Sequence, residues 1–450
     1  CTYSEKELVD PINLRTHGAI GDGKSHKVGK VNLAEFKKKY PLVAAEMTAA
    51  DEVDWVVFQS AVRQAYACAK QQVNWLANSQ VAIDIPQGLY LLNRPVVIGA
   101  GEQISPNAGL KITGASMYST KFLWTGKSTE GPISVININK FKMSDLTVNY
   151  KNKGAWGIWM RNSPKEDADR HSGANVFFQS RLNDISIQGF KEGLKIGFTN
   201  DGVSHSAPAQ CSYHNLEIVR SDNCVRITGA DTDGQWFHNL NLRDCKRAAF
   251  FIESGRNVHI TGGVEFADSG DPKMADRTFL WIDGHPAGGG ISVRNIRSER
   301  TGHLLRYTSF GGVDSKSVST LPVNVEIDNF VATSMHPSNA KKTSFELVNW
   351  NGRGTLHISN SVFHQTNSHL MFPKISSNHY IDVKLENNQF ASTKDSFYGT
   401  PGKSDSLIQA KNQNPKNPFL LDHGGLRVSL ENNLQITPGT KPVKYGAGYI

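Results

Sequence analysis

Long apolar runs are missing from this sequence: no stretch approaches the roughly 20 residues that a membrane-spanning helix needs. The five cysteines show neither the spacing of a zinc site nor an evident disulfide framework, and we expect structural thiols. No run of basic residues accompanies a nucleic-acid motif. These absences argue against a membrane span, a cysteine-bound zinc site and a nucleic-acid partner.

Charge and composition favour an anionic partner and a β-rich fold. Lys and Arg total 49 against 41 Asp and Glu, which gives a formal net charge of +8. Such a surplus suits an acidic polysaccharide, a nucleic acid or an anionic membrane surface. Hydrophobic residues make up 38% of the chain and Gly occurs 40 times, which is typical of many short strands joined by tight turns.

The first residue, Cys1, raises the question of a lipid anchor. A cysteine in first place is what remains after a bacterial lipoprotein signal is removed, and an arbitrary start of the chain is the alternative. A lipid anchor at Cys1 therefore stays open.

The N-terminal part contains a characteristic order of motifs. A glycine-rich turn at residues 18–23 reads Gly-Ala-Ile-Gly-Asp-Gly, and apolar residues at helical spacing predict an amphipathic helix over 51–70. Two predicted strands follow, containing Ile-Pro-Gln-Gly-Leu-Tyr at 85–90 and Leu-Lys-Ile-Thr-Gly-Ala at 110–115.

These motifs, in this order, resemble the beginning of the right-handed parallel β-helix of the pectate-lyase superfamily, which includes phage tailspike depolymerases and bacterial exopolysaccharide-degrading enzymes. The resemblance covers residues 12–125 closely, although a polar, basic insertion at 24–50 separates the turn from the helix. It implies cleavage of a bacterial exo- or capsular polysaccharide outside the cytoplasm. The protein would then be secreted, periplasmic, an outer-membrane lipoprotein or part of a phage particle, and either a monomer or a homotrimer.

An internal repeat begins near residue 140. Short segments led by Asp or Asn recur at intervals of roughly 24 to 39 residues, a period that signals stacked coils. The side chain of such a residue can bond to the turn backbone and to the adjacent coils. The markers are Asp145, Asp184, Asn215, Asn239, Asn295, Asn329, Asn360 and Asn388, with Gly residues in the segment 260–264 replacing one of them.

We therefore predict an all-β fold, a right-handed parallel β-helix with an N-terminal capping α-helix. A β-propeller is the competitor, but it needs four-stranded units closed by hairpins, which the sequence does not show. We expect one continuous domain, with a cap and first coils over 1–125, β-helix repeats over 126–414, and a last partial coil with a tail over 415–450.

Short segments with strict alternation predict a functional stripe. In each segment the apolar residues point to the core and the residues between them point outward. Stacking the segments gives two outward columns, which we call the stripe. The first column is Trp159, Lys195, Arg226, Phe251, Trp281 and Arg306, and the second is Arg161, Gly197, Thr228, Glu253, Asp283 and Thr308. Aromatic, basic and acidic groups in such columns predict a sugar-binding surface.

Glu253 and Asp283 are the candidate catalytic pair, because they occupy one column on successive coils. That position predicts carboxyl groups about 5 Å apart, the separation of a retaining glycoside hydrolase. Mutual repulsion should raise one pKa and leave a proton donor beside an ionised partner. An exposed acidic pair tied to arginines, with no catalytic role, is the alternative.

Other acidic residues are weaker catalytic candidates. Glu265, Asp268 and Asp271 fall in a predicted loop before Lys273, where a loop could form the wall of a cleft, or simply be hydrophilic. Asp231 and Asp233 follow the strand that ends at Thr228 and serve as alternates for an acid or base.

A lyase would need a base for the C5 proton and a cation for the uronate carboxylate. The groups that could supply them near the stripe are His285, Arg297, Arg300, His303, Arg306 and Tyr307. Lyases of the resembled superfamily often use calcium with arginine or lysine, but the sequence contains no compact acidic calcium loop, so we expect no cofactor unless the protein is a lyase. A non-cleaving carbohydrate-binding protein and a uronate epimerase are the remaining alternatives.

Overall fold

The computed structural model describes part of the chain. The described residues are 11–71, 80–99, 109–161, 179–197, 199–200, 203–204, 208–229, 232–266, 277–283, 289–299, 302–308, 322–335, 344–351, 354–365, 370–375, 381–391, 409–410, 413–414, 417–421, 424–431, 433–436, 443–445 and 448–449. The chain divides into two compact units, Cys1–Ser221 and Asp222–Ile450, which are described separately.

The first unit begins with the helical cap. Its helices are α1 (Gly29–Lys39), a 3-10 turn (Pro41–Val43) and α2 (Val53–Gln71), so the helix predicted over 51–70 is confirmed. The α1 helix lies in the segment that the sequence marks as an insertion, and it buries none of its residues. The α2 helix buries Trp55, Phe58 and Val62, each at most 1% exposed.

The α2 helix covers the edge of the first coils. Gln59 donates from Nε2 to the carbonyl of Val97 at 3.0 Å and accepts from its N–H at 2.8 Å, so it takes the place of a neighbouring strand. Asp54 accepts from the backbone N–H groups of Ile20, Gly21 and Leu91. Burial raises the pKa of Asp54. The cap therefore blocks a sheet edge that would otherwise be open to pairing.

Parallel strands form the coils of the first unit. One set, which we call the stripe sheet of this unit, contains Val96–Gly99, Ile133–Ile136, Trp156–Arg161 and Glu192–Ile196. The remaining parallel strands of the unit are Ile12–Asn13, Gln80–Ile85, Gly88–Leu92, Gly109–Gly114, Thr120–Trp124, Lys142–Tyr150, Arg181–Gln188 and Cys211–Val219. A short antiparallel pair joins Thr199–Asn200 to Val203–Ser204.

The second unit repeats this arrangement. Its stripe sheet contains Asn223–Ile227, Ala248–Ile252, Thr278–Asp283, His303–Thr308, Ser344–Asn351, Leu370–Ile375 and Gln409–Ala410. Its second set of strands, which we call the corner sheet, contains Asp233–Arg243, Arg256–Phe266, Gly290–Glu299, Val323–Met335, Gly354–Ser359, Val362–Gln365, Ile381–Glu386, Gln389–Ala391, Gly424–Glu431 and Asn433–Ile436.

The last strands differ from those of the coils, because they pair antiparallel. Val443–Tyr445 pairs with Asn433–Ile436, and Gly448–Tyr449 pairs with Gly424–Glu431. Gln413–Asn414 and Asn417–Leu421 also pair antiparallel with each other. The strand Gly424–Glu431 continues the coils, since it is parallel to Ile381–Glu386.

Alternation in sequence determines which side chains form the core. In the second unit Val225, Ile227, Phe250, Ile252 and Leu280 are all fully buried, as the pattern predicts. Neighbouring coils align them, because Val225 pairs with Phe250 and Phe250 with Leu280. The chain is a right-handed parallel β-helix, which confirms the predicted fold.

The Asx markers lie where the backbone turns a corner. They adopt positive φ values between 49° and 63°, a left-handed conformation that Asn and Asp tolerate better than most residues. The marker residues with this conformation are Asp145, Asp184, Asn215, Asn239, Asn295, Asn329, Asn360 and Asn387. Gly262 takes the place of the marker in one coil, with φ of 70°.

The sequence-based assignment of one marker is wrong by one position. Asn387, not Asn388, occupies the corner, and Asn388 is buried. The Asn388 amide donates to the carbonyl of Ile358 at 2.8 Å and accepts from the N–H of Ser361 at 3.0 Å. Two adjacent asparagines thus have different roles, and spacing alone does not separate them.

Asn360 should contribute measurably to stability through its corner position. Its Nδ2 donates to Asp328 Oδ1 at 2.8 Å, its Oδ1 accepts from Asn387 Nδ2 at 3.3 Å, and its φ is 49°. Asn360→Ala loses these exposed bonds and strains the backbone, so we expect a loss of about 1–2 kcal/mol, measured by thermal unfolding. Asn360→Gly, which relieves the strain, is the matched control and should lose less. Equal melting of the two variants would contradict a role for backbone strain.

The cysteines depart from the expected free thiols. Cys224 and Cys245 form a disulfide within the second unit, and Cys68 is also disulfide-bonded. Cys211 is free and buried, and burial raises the pKa of its thiol to about 12. Among the described residues, no helix is long and apolar enough to span a bilayer.

Candidate functional site

The outward residues of the second unit's stripe sheet align as the alternation predicts. Arg226 pairs with Phe251, Phe251 with Trp281, and Trp281 with Arg306 in the strand register. Asp283 pairs with Thr308 in the second column. The backbone therefore presents these residues on consecutive coils, with no shift of register.

The two candidate carboxylates have different surroundings. Glu253 accepts two hydrogen bonds from Arg226, at 3.0 Å from Nε and 2.7 Å from Nη2. Asp283 is half-buried, and burial raises its pKa, with a further rise from the Glu253 charge and opposing effects of Arg247 and Arg226. The site thus pairs a carboxylate held by a guanidinium with a carboxyl group that retains its proton to higher pH.

Arg247 lies at the centre of this surface, although the stripe does not include it. Its guanidinium carbon is 4.3 Å from the ring centre of Phe251 and 4.4 Å from that of Trp281. Arg247 precedes the strand Ala248–Ile252, so the alternation within strands does not identify it. Its position just after Cys245 is the sequence signal that could have indicated it.

Phe251 is not an open platform for a sugar, which corrects the sequence-based expectation. Its side chain is only 2% exposed, because Arg247 and Arg226 lie over the ring and Trp281 meets it edge-on at 5.6 Å. Trp281 is only partly buried, and the guanidinium carbon of Arg306 lies 5.3 Å from its ring centre. Trp281 is therefore the better candidate for contact with a sugar.

The first unit contains a separate part of the predicted stripe. Two cations contact the Trp159 ring: the Lys195 ammonium lies 4.1 Å from the ring centre and the Arg161 guanidinium carbon lies 4.3 Å from it. Trp159 and Lys195 are paired in register, and the indole N–H donates to the carbonyl of Gly197 at 2.7 Å. Burial lowers the pKa of Arg161. This surface combines a fixed aromatic ring with two cations.

Comparison with known proteins shows similarity of fold. No protein-family model and no curated protein matches the chain. The fold resembles that of phage tailspikes. The gp42 tailspike of Acinetobacter phage vb_AbaP_AS12 matches with a TM-score of 0.49 and 12% identity over 87% of this chain and 61% of that one.

Two further solved structures are similar at the same level. ORF18 of Geobacillus virus E2 has a TM-score of 0.44 and 10% identity over 98% of this chain and 63% of its own. A GH87 α-1,3-glucanase from Streptomyces thermodiastaticus strain HF3-3 has a TM-score of 0.43 and 11% identity over 98% of this chain and 72% of its own. The chain spans less than two thirds of the two viral proteins. These similarities assign no role to any residue of this chain.

Glu265 is a core residue and not part of a loop wall, which corrects the prediction. It lies in the strand Arg256–Phe266 and is 1% exposed. Its carboxylate forms an ion pair with Arg277, which is fully buried, and accepts from the Ser298 hydroxyl at 2.6 Å. Burial lowers the pKa of Arg277 to about 10. Glu265 is therefore not available to a substrate.

Three other predicted site residues lie away from the stripe surface. Asp233 belongs to the corner-sheet strand Asp233–Arg243, and its carboxylate accepts from Asn257 Nδ2 at 2.7 Å. Arg297 is exposed on the same sheet, two residues after the Asn295 corner. Tyr307 is 4% exposed, because it points into the core and packs edge-on against Trp350 at 4.7 Å. None of the three side chains therefore lies on the outward face of the stripe sheet.

His303 does lie beside the stripe, in contact with Arg306. Its Nε2 is 2.7 Å from Arg306 Nη2, and the histidine must accept because a guanidinium only donates. This bond therefore requires a neutral ring with the proton on Nδ1. His303 is only 8% exposed, so it is better placed to orient Arg306 than to contact a substrate.

Five predicted site residues lie outside the described part of the chain: Asp231, Asp268, Asp271, His285 and Arg300. Among the described residues, no group of three or more His, Cys, Asp or Glu side chains is arranged to hold a metal ion.

Proposed function

We propose that this protein cleaves an acidic bacterial exo- or capsular polysaccharide by glycoside hydrolysis, outside the cytoplasm. One observation carries the proposal: the half-buried Asp283 carboxyl, with its raised pKa, occupies the coil next to Glu253, which Arg226 holds as an ion pair. A carboxyl group that keeps its proton beside an ionised carboxylate is the arrangement that glycosidases use. The nearby Trp281 and arginines supply contacts for an acidic sugar.

In this mechanism Asp283 donates its proton to the glycosidic oxygen as the bond from that oxygen to C1 breaks. The Glu253 carboxylate attacks C1 and forms a glycosyl ester. Water then attacks C1, gives its proton to the Asp283 carboxylate and releases Glu253. Adjacent coils are about 4.8 Å apart, which supports a retaining reaction. Retention is checked by following the anomeric proton of the first product by NMR.

The arginines support β-elimination as a second candidate. Arg226, Arg247 and Arg306 all lie near Asp283 or Trp281, where guanidinium groups could neutralise a uronate carboxylate. Calcium suits this surface poorly, because its sites require several oxygen ligands and Glu253 is already bound to a guanidinium. A lyase of this kind would therefore rely on arginine for charge neutralisation.

A product assay on a panel of acidic bacterial polysaccharides tests the proposal. We expect new reducing ends without the ultraviolet absorbance of an unsaturated uronate. Both signals together would replace hydrolysis by elimination. Binding with neither signal, and with unchanged viscosity, would favour a non-cleaving carbohydrate-binding protein. A change in uronate stereochemistry without a fall in viscosity would indicate an epimerase.

A further inference from the structure

Arg247 differs from the other two arginines of this surface in how its donors are used. Arg226 donates to Glu253, and Arg306 contacts His303. Within the described residues, Arg247 forms its two cation–π contacts but no ion pair and no side-chain hydrogen bond. It is also exposed. Its five N–H donors are thus accessible on the surface that presents Asp283.

The position of Arg247 is fixed from two sides. The guanidinium carbon of Arg247 lies 4.3 Å from the ring centre of Phe251 and 4.4 Å from that of Trp281, so both rings hold the side chain in place. The backbone N–H of Arg247 donates to the carbonyl of Asp222 at 2.7 Å, and the Cys224–Cys245 disulfide lies two residues before it. Binding a ligand therefore requires little further ordering of this side chain.

We propose that Arg247 binds the carboxylate of a uronate residue and so selects acidic polysaccharides over neutral ones at this site. A planar guanidinium can donate two parallel hydrogen bonds to a carboxylate, which matches both its charge and its shape. Because Arg247 is exposed, its guanidinium is accessible for this contact. The inference rests on the proposed function, because it takes the polysaccharide as the ligand.

The test compares carboxylated polymers with their carboxyl-reduced counterparts. Affinity electrophoresis of the full chain uses polygalacturonate, polymannuronate and heparosan, and cleavage uses the substrate from the product assay in native and reduced forms. We expect wild type to bind at least one carboxylated polymer and to bind its reduced form on the order of 10- to 100-fold more weakly, as the loss of a charged hydrogen-bonded contact predicts. Wild-type binding to none of the carboxylated polymers would overturn the inference.

The variants separate a specific contact from general charge. Arg247→Gln should remove the preference for the carboxylated polymer, and Arg247→Lys should keep only part of it because an ammonium lacks the planar fork. Lys246→Gln, at the neighbouring exposed cation, loses the same charge and should keep the preference. Equal loss in Arg247→Gln and Lys246→Gln would overturn the inference. Equal wild-type cleavage of native and reduced substrate would also overturn it, while leaving the hydrolase proposal intact.

Discussion

Replacing Asp283 by asparagine is expected to lower the turnover number on the true polysaccharide substrate by about a thousandfold, in the range typical for loss of a general acid. The amide keeps the size of the side chain but cannot give up a proton. Because Asp283 is half-buried and lies at an outward position at the end of its strand, the fold should tolerate the change. The measurement is the initial rate of reducing-end release, with circular dichroism to confirm folding.

The raised pKa of Asp283 also predicts how activity depends on pH. Burial raises the pKa of Asp283, so the protonated, active form persists to higher pH and is lost as the pH rises through that pKa. The alkaline limb of the kcat/KM profile should therefore belong to Asp283. Residual activity of Asp283→Asn should lack this limb.

Glu253→Gln is the companion variant for the same mechanism. It should also be inactive, and external azide should restore part of its rate, because a small anion can take the place of the lost nucleophile. Wild-type rates in Asp283→Asn would remove this residue from the mechanism. Wild-type rates in Glu253→Gln, with Asp283→Asn inactive, would leave Asp283 as the acid and reassign the partner.

The fold and the register of the stripe could be predicted because each depends on local rules. Strict alternation places Val225 and Ile227 in the core and Arg226 between them on the surface, and the structure agrees. The same rule places Tyr307 inward, between Arg306 and Thr308, so its burial was predictable and its assignment to the site was wrong.

Other features of the site depend on contacts between residues that no local pattern relates. Phe251 is buried because Arg247 lies over it, and Arg247 comes from the turn before the strand. Glu265 resembles a loop residue because polar and glycine residues surround it in the sequence. Its partner Arg277 is twelve positions later, beyond the range of strand periodicity.

The buried Glu265–Arg277 pair should give the largest stability effect in the second unit. Both side chains are at most 1% exposed. Removing one partner leaves the other charge in the core, so Glu265→Gln and Arg277→Met should each lower the free energy of unfolding by about 3–5 kcal/mol. Thermal and denaturant unfolding followed by circular dichroism provide the measurement.

A double variant separates this charge effect from simple loss of packing. Glu265→Leu combined with Arg277→Met removes both charges, and replacement of a buried pair by apolar residues is often close to neutral. The double variant should therefore be more stable than either single variant, although the Ser298 hydroxyl loses its acceptor. If the effects of Glu265→Leu and Arg277→Met, each measured alone, simply add in the double variant, the pair is not coupled. The cost would then come from cavities, and Glu265 would stabilise the core through its volume and not its charge.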